Sequence, residues 1–229
     1  MMLVYCKLTR MSSTEQEQAF WNADDMVAYF AAKPADPVIV DRLARVPATP
    51  NMNALDLGCG GGRHSELLAQ HGFNVTSVDV NPAMLRHTSE RLQKQNLTTR
   101  LARMSIVHLG LASDQYDVVV STGVLHQAKS LGEYDRAVAE VSRVMHSGGL
   151  FTMNIFTNSV WDSTYIVPSP DEPGTVVTQE GLWMTLLSKE DFYGLAADHD
   201  LQLEEEVTED VRQENTGPRA VVRAHFLKT

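Results

Sequence analysis

Four glycines stand within five residues, Gly58-Cys59-Gly60-Gly61-Gly62, between an apolar run (Ala54-Leu55-Asp56-Leu57) and a helix-like stretch from Arg63 to His71. Glycine takes positive φ without steric cost and has no Cβ, so a ligand can lie directly against the backbone there. The free N–H groups that open the following helix add a local positive field. Strand, glycine turn and helix together make a cofactor-binding edge.

The rest of the chain repeats that rhythm. Asn74 to Val80 reads as a second strand, and Asn81-Pro82 as an N-cap and first-turn proline opening a helix with Met84, Leu85, Thr88 and Leu92 inward. A weaker strand is expected near Thr98 to Ala102. The β-branched run in Tyr116 to Ser121 predicts a fully buried strand. Glu133 to His146 carries Ala137, Val138, Val141, Val144 and Met145 at helical spacing and stops at Ser147-Gly148-Gly149, before a strand from Leu150 to Phe156. Alternation of this kind predicts an α/β fold, a mostly parallel sheet with helices on both faces.

Upstream, Asp24 to Ala32 and the stretch opened by Asp36-Pro37 read as helices, the second punctuated by Pro47 and Pro50. Downstream, residues 157–187 break the rhythm with Pro168, Pro170, Pro173 and Gly174 amid Trp161, Tyr165 and Trp183, which predicts a long loop or small subdomain over the sheet edge. Ser188 to His199 is expected as a helix with Ser188 and Asp191 in capping-box positions. Leu201 to Val207 and Ala220 to Leu227 then read as an antiparallel pair separated by a polar link, Thr208 to Pro218. One domain results: an N-terminal helical lid (1–50), a binding core (51–157), an aromatic loop or cap insertion (158–187), and a C-terminal helix and strand pair completing the sheet (188–229).

A chain of 229 residues with 43% hydrophobic and 21% charged residues is of ordinary globular composition. Its net charge is −10 and its basic residues are scattered, which argues against a nucleic-acid footprint. Two distant cysteines, Cys6 and Cys59, suggest no disulfide framework and fit a reducing cytoplasm. The first ten residues lack the features of a signal peptide, and no run approaches the roughly 18 apolar residues of a membrane span. The histidines show no paired metal-ligand spacing, so no metal is expected.

Two nucleotide readings compete for the glycine turn. A dinucleotide fingerprint needs Gly-x-Gly-x-x-Gly, but its last position falls on Arg63 or Ser65 in the two available registers. What stands instead is Asp56-x-Gly58-x-Gly60-x-Gly62, with Asp79 closing the second strand, where a carboxylate can accept both ribose hydroxyls of an adenosine. Adenosine without a diphosphate points to S-adenosyl-L-methionine.

The motifs Leu55 through Arg63, Val78-Asp79, Asn81 through Leu85, Tyr116 through Val119, Val124-Leu125-His126 and Val144 through Leu150 follow one another in an order and spacing that resemble a class I SAM-dependent methyltransferase across about residues 54–157. The resemblance implies a Rossmann-like, seven-stranded, mostly parallel sheet with an antiparallel C-terminal strand. It also implies that Gly58 and Gly60, with Cys59, lie against the methionine part of the cofactor. Asp79 would then bind the ribose, Val80 and Met84 flank the adenine, and Ser121, Thr122 and Gly123 face the sulfonium. Such proteins often carry an acid after strand three; Ala102-Arg103-Met104 stand there instead, so the adenine is expected to be held by backbone at Arg103 and Met104.

Asp56 is expected either to reach the cofactor's ammonium or to brace the turn, and Arg63 to pair with a carboxylate or be solvated. His126 is a general base on the acceptor, an orienting hydrogen-bond donor, or a histidine packed beneath the cofactor. Trp21 and Tyr29, with Trp161, Tyr165 and Trp183, are expected to line a pocket for a small-molecule methyl acceptor. An RNA-modifying enzyme and a SAM-binding protein that does not methylate remain the alternatives, and a homodimer is left open.

Overall fold

Asp36 and Asn81 cap two helices and, in doing so, set where the walls of a crevice begin. The computed structural model describes residues 19–47, 49, 51–160, 162–164, 166–169, 172–214 and 217–229, the side chains of Glu206 and Val207 excepted. Its elements are α1 (Asp24–Ala32), α2 (Pro37–Ala44), β1 (Asn53–Leu57), α3 (Arg63–Gln70), β2 (Asn74–Asp79), α4 (Pro82–Lys94), β3 (Arg100–Arg103) and β4 (Tyr116–Thr122). A single 3-10 turn (Leu125–Gln127) leads to α5 (Leu131–Val144), β5 (Met145–Thr157), β6 (Ile166–Pro168), β7 (Thr175–Thr178), β8 (Trp183–Thr185), α6 (Lys189–Asp198), β9 (Leu201–Glu214) and β10 (Gly217–Lys228).

Asp36 accepts from Val38 N at 3.1 Å with Pro37 in the first turn of α2, and Asn81 Oδ1 accepts from Ala83 N at 2.8 Å with Pro82 opening α4. Each cap satisfies a backbone donor that the first helical turn cannot. Ser188 does the same for α6 through Asp191 N at 3.0 Å, as the capping pattern predicts.

The main sheet runs β3-β2-β1-β4-β5-β10-β9. β1 pairs parallel with β2 and β4, β4 pairs parallel with β5, and β10 runs antiparallel to both β5 and β9. The chain winds outward from β1 to β3, then returns to the other side of β1 for β4, so the sheet has its switch point between β1 and β4. Ligand crevices in open α/β sheets form at the carboxyl ends of the strands at such a point. Alternate residues of the central strands feed two cores. Val118 and Val120 pack with Ile39, Leu43 and Leu68 of α2 and α3, whereas Val119 packs with Ala137, Val138 and Phe192 of α5 and α6.

Three boundaries differ from the sequence expectation. α5 begins at Leu131, capped by Ser130, and ends at Val144; β5 then starts at once and runs through Gly148-Gly149. Met145 already pairs with Tyr116, and an irregular register before Leu150 absorbs the glycines. A Cβ at Gly149 would lie 2.9 Å from His146 O, so this crossing needs a glycine. Of the two forms expected for residues 157–187, a long loop or a small subdomain, the described residues take the second and add strands the sequence did not announce: β6, β7 and β8 form a small antiparallel sheet, and Ile166, Val176, Met184 and Leu186 pack on Phe156. The polar stretch after Val207 was expected as a link, but β9 continues to Glu214, because β10 supplies its ladder of hydrogen bonds and leaves its charged side chains at the sheet edge. Trp161, Tyr165, Cys6, Pro50 and Pro170 lie outside the described residues.

One buried ion pair ties the two ends of the chain together. Arg223 of β10, 2% exposed, donates from Nε to both carboxylate oxygens of Asp36 at 3.0 and 3.2 Å, and Asn154 Nδ2 adds a third bond at 2.9 Å. Arg223 also reaches Thr208 and Asp210 of β9, both at 3.1 Å. Breaking such a pair from one side strands a buried charge and costs about 3–5 kcal/mol. Asp36→Ala is therefore expected to lower the unfolding free energy by about that much in urea titrations; a loss below about 1 kcal/mol, the range of a solvated pair, would show that the network does not hold α2 to the sheet.

Candidate active site

The glycine turn after β1 is built by sterics. Gly58, Gly60 and Gly62 have φ of 68°, 52° and 80°, the left-handed region where side chains are strained. A Cβ at Gly58 would lie 2.3 Å from Val124 Cγ2, one at Gly61 2.5 Å from Ala31 Cα, and one at Gly62 2.8 Å from Thr88 Oγ1. Three of the four glycines thus let the loop pack against the exit of β4, against α1 and against α4. Gly60 differs: no atom lies within 4 Å of where its Cβ would be, and the same holds for Gly123 after β4. The two open glycines flank the switch-point crevice.

Asp79 reaches across to the loop. Its Oδ2 accepts from Gly60 N at 2.9 Å and its Oδ1 from Asn81 N at 2.8 Å, so the carboxylate stands at the junction of glycine turn and α4. Burial pushes its carboxyl above the usual value, opposed by those backbone donors. Cys59 points the other way; it is 5% exposed and its Sγ lies 3.6 Å from Thr88 Oγ1. Burial first, then the nearby carboxylates, hold its thiol protonated.

Asp56, 1% exposed, lies within the sheet, where Oδ2 accepts from Ser65 Oγ at 2.6 Å. Ser77 Oγ donates to Ser65 Oγ at 2.7 Å and stands 2.8 Å from Thr99 Oγ1, extending the chain toward β3. That is the bracing geometry of the two expected for Asp56.

On the far side of Asp79, Val80 is 55% exposed and Met84 is 3% exposed. Arg103 Nε donates to Val80 O at 2.9 Å, and Met104 N to Asp79 O at 3.2 Å. Met104 therefore has its N–H committed and only its carbonyl to offer a ligand. At the end of β4, Ser121 is fully buried and its Oγ has no hydrogen-bond partner among the described residues. Thr122 Oγ1 stands 3.2 Å from His64 Nδ1, while Asp36 N donates to His64 Nε2 at 3.1 Å, which leaves the His64 proton on Nδ1. Burial holds His64 neutral, down to about 3.

His126, in the 3-10 turn after β4, stacks on Phe156 with ring centroids 4.2 Å apart, and its Nδ1 accepts from Phe156 N at 3.1 Å. With that lone pair engaged, the neutral ring carries its proton on Nε2, which is buried and unpartnered among the described residues. Burial lowers its pKa to about 3, aided by Arg219. A ring in this state offers a donor and no free basic nitrogen.

The aromatic residues fall into two groups. Trp21 and Tyr29 join Phe20 and Phe30 in one ring cluster, with centroids 5.1–5.3 Å apart, and Trp21 O accepts from Asn81 Nδ2 at 2.5 Å. That cluster therefore sits at the Asp79 side of the crevice. Trp183 is on β8 in the small sheet, which is pinned to the 3-10 turn by Thr185 Oγ1 donating to Ala128 O at 2.8 Å. Arg63, the first residue of α3, was expected to pair with a carboxylate of the protein or the cofactor or to be solvated; its Nη2 reaches Thr122 Oγ1 at the end of β4 at 3.5 Å. Among the described residues no cluster of His, Cys, Asp or Glu could hold a metal ion, and no helix is long and apolar enough to cross a membrane.

Burial pushes the Asp56 carboxyl up to about 6, against the Ser65 hydrogen bond and the Arg63 charge. Between the ordinary carboxylate value and about 6 the folded chain holds a proton that the unfolded chain has released, so stability falls as pH rises through that window. Asp56→Asn removes this contribution. Comparing denaturant titrations at about pH 4 and about pH 7, the wild type is expected to lose about 2 kcal/mol more than the variant; equal losses would place the Asp56 pKa at its ordinary value.

Residues 55–153 match a family model described as a methyltransferase domain. The chain is 29% identical over 108 residues to the uncharacterized methyltransferase YodH of Bacillus subtilis, covering 47% of this chain and 45% of that protein. It is 33% identical over 108 residues to a malonyl-[acyl-carrier protein] O-methyltransferase of Pectobacterium atrosepticum, covering 47% of this chain and 40% of that one. The chain thus spans less than half the length of these curated relatives. A solved structure of the 1,6-didemethyltoxoflavin-N1-methyltransferase of Burkholderia thailandensis, with 1,6-didemethyltoxoflavin and S-adenosylhomocysteine bound, superposes with a TM-score of 0.66 at 16% identity, over 95% of this chain and 87% of that one. An open glycine beside a strand-end carboxylate and an orphaned hydroxyl at Ser121, all at the carboxyl edge of the switch point, fit an adenosine carrying an amino acid. Over residues 55–153, the motifs, the strand order and the match to the methyltransferase-domain model agree in their likeness to a class I, S-adenosylmethionine-dependent methyltransferase domain.

Proposed function

We propose that the protein transfers a methyl group from S-adenosylmethionine to a small-molecule acceptor, releasing S-adenosylhomocysteine. The observation that supports this most is the pairing of the open Gly60 with Asp79, whose carboxylate keeps lone pairs for ribose hydroxyls beyond its bonds to Gly60 N and Asn81 N. In this reading Gly58, Cys59 and Gly60 form the wall beside the methionine part. Val80 and Met84 flank the adenine, with Arg103 and the Met104 carbonyl at its edge. Ser121, Thr122 and Gly123 face the sulfur.

The cofactor supplies a methyl group already activated by its sulfonium. What the chain must add is alignment of the acceptor and exclusion of water. The small sheet β6–β8, anchored on Phe156 and Ala128, favours an enclosed acceptor site, and the net charge of −10 disfavours a nucleic-acid substrate. His126 serves as a hydrogen-bond donor through Nε2, not as a base. Asp56 serves as a brace. Trp183 belongs to the acceptor side, while Trp21 and Tyr29 roof the donor side.

Binding of radiolabelled S-adenosylmethionine to the purified protein tests the donor half. Asp79→Ala is expected to weaken binding about 10- to 100-fold, and a wild-type protein that binds none would overturn the reading. Formation of S-adenosylhomocysteine with a small-molecule extract tests the acceptor half. Once an acceptor is in hand, His126→Gln is expected to lower kcat/KM while leaving the shape of its pH profile unchanged; loss of an ionisation from the profile would restore a base role to His126.

A further inference from the structure

We infer that the methyl acceptor carries a carboxylate, held by the guanidinium of Arg219 with the Nε2–H of His126 as a second donor; the inference rests on the methyl-transfer reading above. Arg219 belongs to β10 and is 1% exposed, with Nη1 donating to Pro218 O at 2.8 Å. His126 is equally buried, and its Nε2 has no partner among the described residues.

Strand register places the two side by side. Val221 lies opposite Phe156 in the β10–β5 ladder, so Arg219, two residues earlier on the same face, is the diagonal neighbour of Phe156. Diagonal pairs stand about 7–8 Å apart, within reach of long side chains. The His126 ring stacks on the same phenyl group, with 4.2 Å between centroids. Arg219 and His126 therefore both border Phe156, on which the small sheet β6–β8 packs. After burial, the charge of Arg219 helps to keep the His126 ring neutral.

The surrounding charges favour an anion. Arg212 of β9 lies directly opposite Arg219 on the same face, and like charges in that position are destabilising. Arg212 turns to Asp36 at 3.5 Å and Asp210 at 3.9 Å, acids that Arg223 already holds at 3.0 and 3.1 Å. Glu180, Glu214 and Asp162 act on Arg219 through space, and Glu214 pairs with Lys33 at 3.4 Å. A guanidinium fork matches a carboxylate, which has further lone pairs for the imidazole N–H. β10 lies two strands from β4, about 10 Å at the spacing of neighbouring strands. That distance suits a carboxylate held as a handle, remote from the atom that takes the methyl group.

Isothermal titration of the S-adenosylhomocysteine-loaded protein with benzoate, and with benzamide as its uncharged analogue, tests the inference. The wild type is expected to bind benzoate at least about tenfold more tightly than benzamide. Arg219→Gln is expected to reduce that preference to less than about twofold, and Arg219→Lys to keep part of it, because the charge remains and the fork is lost. Unchanged affinity for S-adenosylhomocysteine shows that the variants are folded. No benzoate binding, no preference over benzamide, a preference that survives Arg219→Gln, or a variant that also loses S-adenosylhomocysteine overturns the inference and leaves methyl transfer standing. A wild-type protein that binds no S-adenosylhomocysteine overturns both.

Discussion

Three absent Cβ atoms hold the carboxyl edge of this sheet together. Val124, Ala31 and Thr88 each occupy the space that a side chain at Gly58, Gly61 or Gly62 would need. Those neighbours come from three different parts of the chain: the exit of β4, the end of α1 and the middle of α4. The loop is therefore a hub onto which the second half of the sheet, the N-terminal helix and the α4 wall all dock. Overpacking at any of the three would force its neighbour away, with a cost of about 1–3 kcal/mol. Only Gly60 is left without a packing reason, which is why it marks the ligand side.

A second constraint closes the roof. α1 lies on the glycine loop through Ala31, and Arg91 of α4 donates to Ala31 O at 3.0 Å. A few residues on, Asp36 is held by Arg223 and Asn154 and gives its own N–H to His64, whose other ring nitrogen meets Thr122. One short segment thus touches the donor loop, the C-terminal strand and the end of β4. Movement of α2 away from the sheet would have to break the buried Asp36–Arg223 pair.

Much of this was legible in the chain. Asp36-Pro37, Asn81-Pro82 and Ser188-x-x-Asp191 announce their helices because capping is local chemistry, readable from neighbours in sequence. The sheet was legible because β-branched runs alternate with helical spacing. What could not be read depends on partners far along the chain. The second half of β9, from Thr208 to Glu214, carries too many charges to look like a strand, and only the β10 ladder makes it one. The small β6–β8 sheet hides behind its prolines, and Gly148-Gly149 looks like a stop because its pairing with β4 is invisible locally. At the site, Asp79 and the glycines were plain, whereas the tautomer of His126 rests on Phe156 N, thirty residues later.

The acidity of β9 has a consequence for how copies of this chain can meet. An outermost strand leaves one row of backbone donors and acceptors unpaired, an invitation for another strand to add itself. Here that row is bordered by Glu204, Glu205, Glu209 and Asp210. On this chain each of these acids already has a cation beside it: Arg42 for Glu204, Arg45 for Glu205, Lys189 for Glu209 and Arg223 for Asp210. A strand added at the roughly 5 Å spacing of neighbouring strands would bring its own side chains against those pairs, so the charges that hide the second half of β9 in the sequence also burden its free edge.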